Sequence, residues 1–100
     1  MHPLLKNNLN EVVRIMRSHH VERAYAFGSV CTDKFTDKSD VDFIVKFNRD
    51  YFDDYADNFL NLEDSLKALL KREVDVITER TLRNPYFIEE IKKTKTKIYE

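Results

Sequence analysis

This chain has a single cysteine and a single glycine in one hundred residues, only two prolines, and no tryptophan. The lone Cys31 excludes an internal disulfide, so the core must hold the fold, and a reducing cytoplasm is the expected setting. No linker, repeat or low-complexity tract interrupts the chain. Long hydrophobic runs are also missing. None approaches the length of a membrane span, and the N-terminus lacks the basic, apolar, small-residue order of a signal peptide. Nor does one sign of charge dominate. Seventeen basic against eighteen acidic residues leave a net charge of −1, which argues against a domain whose main work is to grip nucleic acid.

The residues that are present describe a folded α+β protein. Apolar residues make up 42% and charged ones 35% of the chain, the balance of a globular domain with one modest core over residues 1–100. Leu5, Leu9, Val12, Val13 and Met16 recur at helical spacing, predicting a helix from about residue 4 to 18. Arg17, His19 and His20 at its end suit the helix dipole better than they suit a metal site. Val21 to Phe27 reads as a first strand and Val41 to Phe47 as a second, joined closely enough to be antiparallel. The polar stretch Thr32 to Ser39 between them is a short helix or an irregular turn. Residues 53 to about 72 carry the longest helical pattern, with Tyr55, Phe59, Leu62, Leu66, Leu69 and Leu70 on one side. Val74 to Ile77 is a third strand. Asn84-Pro85 then starts a further helix, since Asn caps and Pro fits the first turn. Ile98-Tyr99 adds a small terminal strand. The order predicts a small mixed sheet packed with helices.

Chemistry concentrates between the first two strands. The only glycine is followed by Ser29, then ten residues, then Asp40-Val41-Asp42 running into Phe43-Ile44-Val45. In a strand alternate residues share a face, so Asp40 and Asp42 point one way and Val41 and Phe43 the other. Asp75, between Val74 and Val76, adds a third acid on a later strand. Carboxylates with such apolar flanks need a partner or a metal, and no lysine is patterned against these three. Oxygen-only donors select Mg²⁺ or Mn²⁺ over zinc. Two such ions are the usual device for in-line displacement at phosphorus. Gly28 lets the backbone approach a phosphate closely, a following helical turn would aim amides at it, and Ser29 adds a hydroxyl. For Asp75 the plainer alternative is a surface ion pair with Lys71 or Arg72.

Phe27-Gly28-Ser29, the ten-residue gap and Ser39-Asp40-Val41-Asp42 resemble the signature of the polymerase-β-like nucleotidyltransferase superfamily. Leu82-Arg83-Asn84-Pro85-Tyr86 and the short length look like its minimal nucleotidyltransferase (MNT) branch, the antitoxin partners of HEPN-domain toxins. The resemblance implies that Asp40 and Asp42 bind both metals, and that Asp75 binds one and helps deprotonate the attacking hydroxyl. It implies that Gly28, Ser29 and Ser39 hold the nucleotide, with ATP as substrate and Mg²⁺ or Mn²⁺ as cofactor. The expected partner is a HEPN-domain toxin, adenylylated on a tyrosine hydroxyl within a hetero-oligomer. No membrane contact or direct nucleic-acid binding is expected. The chain departs from that pattern at Val30-Cys31-Thr32-Asp33, where the family has an Arg-rich turn and a second glycine. Two rival readings follow: a catalytically weak relative that neutralises its toxin by binding, and a nucleotidyltransferase with a small-molecule acceptor. Cys31 reads as a small core filler, and the charges of Lys92, Lys93, Lys95 and Lys97 as a solvated face. Tyr51, Phe52 and Tyr55 among Asp50, Asp53, Asp54 and Asp57 could form a partner surface, or simply seal a helix onto the sheet.

Overall fold

The computed structural model describes residues 1–48 and 54–100. The first helical stretch is broken in two: α1 spans Pro3–Asn7 and α2 Leu9–Ser18, in place of the one continuous helix expected. The break falls at Asn8, whose φ of −108° and ψ of 11° leave the helical region. Its side-chain amide donates to the Leu4 carbonyl at 2.7 Å. A short amide side chain competes with the helix for its own backbone in this way, which is why Asn is a weak helix former. The apolar stripe survives the break, for Leu5, Val12 and Met16 are all fully buried.

β1 (Val21–Phe27) and β2 (Val41–Phe47) form where alternation predicted them. After α3 (Tyr55–Leu70), Lys71 adopts a left-handed C-cap with φ 58°. β3 (Val74–Thr78), α4 (Pro85–Thr94) and β4 (Thr96–Tyr99) complete the chain. The expected start of α3 at Asp53, and the Asp50, Tyr51 and Phe52 cluster, lie outside the described residues. Asn84 caps α4 as expected, its Oδ1 accepting the N–H groups of Tyr86 and Phe87.

The strands form one sheet in the order β3-β2-β1-β4, with β2 and β3 parallel and the other pairs antiparallel. Its two faces differ sharply. Ala24, Ala26, Val41, Phe43, Val45, Val74 and Val76 meet α1, α2 and α3 in the main core. Burying a side chain such as Phe43 stabilises the fold by about 2 kcal/mol. The opposite face is smaller: Phe27 and Ile44 pack against Ile91 of α4, with Tyr25, Ile77 and Leu82 at the edges. The strand pleat places Asp42 and Asp75 on this second, thinly covered face.

Candidate active site

Sheet register assembles the site. Phe27 stands opposite Asp42 across β1 and β2, and Asp42 stands opposite Asp75 across β2 and β3. Neighbouring strands are roughly 4.8 Å apart, so the two carboxylates rise side by side. Asp40, exposed, sits just before β2. Burial, and then the charges of Asp75 and Asp40, push the Asp42 carboxyl up to about 6. Among the described residues no three carboxylate, imidazole or thiol groups close into a chelate. The three acids instead form an open edge. Neither Lys71 nor Arg72 pairs with Asp75 among the described residues.

Gly28 follows β1 with φ +77°, and a Cβ there would stand 2.7 Å from Asp42 Oδ2. Only glycine fits so close to that carboxylate. Its N–H donates to Thr94 Oγ1 at the end of α4, at 2.8 Å. Ser29 lies in a single 3-10 turn, Gly28–Cys31, directly after the strand. The Ser29 carbonyl accepts from both the N–H and the hydroxyl of Thr32. Ser39 is bound into its own turn, its Oγ accepting the Thr36 N–H at 3.0 Å.

Two residues support this arrangement in roles the sequence did not suggest. Arg72 Nη1 donates to the carbonyls of Thr36 and Ser39, at 3.1 and 3.0 Å. Its guanidinium lies 4.6 Å from the centre of the Phe35 ring, while its Nε is buried without a partner. Arg72 thus pins the loop that delivers Asp40. Thr94, whose hydroxyl meets Gly28, is the second. Nothing in the local pattern marks either one, because both act across long sequence separations. Lys38, Lys67 and Lys71 line a polar cleft of mixed charge with Asp37, Asp40 and Glu73, in which Lys67 pairs with Glu73 at 3.5 Å. Cys31 packs half-buried against the main core. Lys92 and Lys93 pair on the surface with Glu89 and Glu90, and Lys95 lies over the Tyr25 ring.

Oxygen-only donors, mutual carboxylate repulsion and a glycine cradle fit a hard divalent cation, which would offset both the burial and the repulsion that raise Asp42.

The family described as Polymerase beta, Nucleotidyltransferase matches residues 10–100. Two similar proteins come from Methanocaldococcus jannaschii, both provisionally named protein adenylyltransferases. MJ1379 is 30% identical over 86 residues, covering 78% of this chain and 85% of the relative. MJ0128 is 34% identical over 83 residues, covering 82% of each. Among solved structures, one described as a minimal nucleotidyltransferase superposes with a TM-score of 0.77 at 26% identity, covering 96% of this chain and 95% of that one. A chain from a complex of a tri-AMPylated Shewanella oneidensis HEPN toxin with an MNT antitoxin shares the fold, with a TM-score of 0.67 at 19% identity, covering 94% of this chain and 71% of that one.

Proposed function

Because this chain belongs to the polymerase β nucleotidyltransferase family, we propose that it is a metal-dependent protein adenylyltransferase. It moves AMP from ATP to a tyrosine hydroxyl of a HEPN-type toxin bound beside it, which it silences as the antitoxin. The observation that carries this reading is the Asp42–Asp75 pairing with Gly28 set against Asp42. The provisional names of both relatives support the transfer chemistry. The tri-AMPylated toxin in the S. oneidensis complex supports the acceptor class.

Asp40 and Asp42 would hold Mg²⁺ or Mn²⁺, with Asp75 as the third carboxylate. When bound, the cation would neutralise charge on the phosphates and make the acceptor hydroxyl more acidic. Gly28 leaves room for the triphosphate beside Asp42, Ser29 offers it a hydroxyl, and Ser39 shapes the turn that carries Asp40. Asp75, exposed at the edge strand, accepts the proton of the incoming hydroxyl. The acceptor oxygen bonds to the α-phosphorus, the bond from that phosphorus to the bridging oxygen breaks, and pyrophosphate leaves. The open edge encloses neither acceptor nor base by itself, which suits a partner supplying the acceptor side. The single free thiol, Cys31, is in keeping with one domain working in the cytoplasm. Among the described residues no helix is long and apolar enough to cross a membrane.

One observation favours neutralisation by binding alone: the Gly28 N–H is occupied by Thr94 in a turn without arginine. Intact-mass spectrometry of the co-expressed partner, after incubation with ATP and Mg²⁺, separates the two. Gain of AMP mass, lost in Asp40→Asn/Asp42→Asn, supports transfer. A stable complex without mass change overturns it.

A further inference from the structure

We propose that the cleft between β3 and the start of α4 is the nucleobase subsite, with Phe87 as the stacking platform. The inference rests on the nucleotidyltransferase reading and says where the part of ATP remote from the reacting phosphorus sits.

Three observations converge. First, the cleft continues the carboxylate edge. Asp75 and Ile77 share a face of β3, and a two-residue step along a strand is roughly 6.6 Å. Ile77, Leu82 and Phe87 line an opening of about 340 Å³. A base lying there would be one sugar away from phosphates held at Asp42 and Asp75. Second, Phe87 is 41% exposed although it is a large apolar ring. It is held edge-on to Phe27, with ring centres 6.0 Å apart and planes at 76°. Phe27 is buried and immediately precedes Gly28, so the ring is anchored to the strand that carries the phosphate turn while it still lines the opening. Third, the rim is polar in a useful sense: Arg83 lines the same cleft and brings donors only, matching the acceptor nitrogens of a purine.

A neighbouring cleft on this side of the sheet is a poorer candidate. It is bounded by Arg23 and Glu79, which close on each other in a two-pronged ion pair at 2.9 and 2.8 Å.

Stacking on an aromatic ring is sequence-tolerant and strong enough to be measured. The test is isothermal titration of the whole chain with Mg-ATP and, separately, with Mg-tripolyphosphate, which has the phosphates but no base. Wild type should bind ATP more tightly than tripolyphosphate. Phe87→Leu, which keeps an apolar side chain against Phe27, should lose roughly ten- to hundredfold in ATP affinity and leave tripolyphosphate unchanged. Phe87→Trp should restore ATP binding. If Phe87→Leu keeps the wild-type preference for ATP, the base lies elsewhere and the nucleotidyltransferase reading stands. If wild type binds neither ligand, that reading falls and this one falls with it.

Discussion

Gly28 and Asp42 are pressed together: a methyl group on Gly28 would sit 2.7 Å from the Asp42 carboxylate oxygen. Gly28→Ala therefore carries two penalties, the left-handed backbone and the displaced carboxylate. The backbone alone costs about 1 kcal/mol. In an Asp42→Ala background only that part should remain, so the two substitutions are coupled. Chemical denaturation of the four proteins in the cycle measures the coupling. Strict additivity would mean the contact has no energetic weight.

The pH dependence of the metal-free protein follows from Asp42. Its folded-state value of about 6 lies above its ordinary 3.8, so the folded chain binds the extra proton between those limits. Stability from this group is therefore fully present below about pH 4 and declines as pH rises through 6. The gap between those two values is equivalent to at most about 3 kcal/mol, and solvent screening of this partly exposed group should reduce it to about 1–2 kcal/mol. Asp42→Asn should remove that decline and be the more stable protein at pH 7.5. Urea titrations of both chains in chelator at pH 5 and 7.5 check it. An equal fall in both would assign the pH dependence to other groups.

Magnesium should oppose the same proton. Cation binding requires the ionised carboxylate, so Mg²⁺ affinity should rise with pH through about 6 and level off above it. Calorimetry in buffers of different ionisation enthalpy counts the released proton. A flat profile would remove Asp42 from the metal site.

Arg72 joins the end of α3 to the loop before Asp40. Arg72→Met keeps an apolar stem over Phe35 but loses both bonds to the Thr36 and Ser39 carbonyls. Each such bond is worth about 1 kcal/mol, and the loss should loosen the loop more than the core. Hydrogen exchange should quicken at residues 35–40 while β2 stays protected, and AMP transfer should slow about tenfold. Unchanged exchange in the loop would show that Arg72 does not hold it.

Thr94 holds the Gly28 N–H through its hydroxyl. Thr94→Val keeps the shape and frees that donor. The metal-free protein should lose about 1 kcal/mol, and Mg-ATP should bind several-fold more tightly, because a phosphate oxygen no longer competes with the threonine. Weaker ATP binding would assign Thr94 a supporting role and not a competing one.

Much of this molecule was legible in its sequence because alternation and helical periodicity report directly on burial. β1 and β2 lie where the apolar alternation placed them, and Asn84-Pro85 announces α4 by the backbone chemistry of a helix start. Asp42 and Asp75 were legible as candidates because charge between buried neighbours is expensive. The break at Asn8 was hidden, since the apolar stripe passes through it unchanged and only a side-chain bond to Leu4 ends the first helix. The order of the strands, the contact of Gly28 with Asp42, and the reach of Arg72 and Thr94 depend on residues far apart in the chain. Local patterns specify which side of an element faces inward. Which elements then become neighbours is decided only when the whole core packs, and that packing sets Asp75 beside Asp42 and closes Gly28 against it.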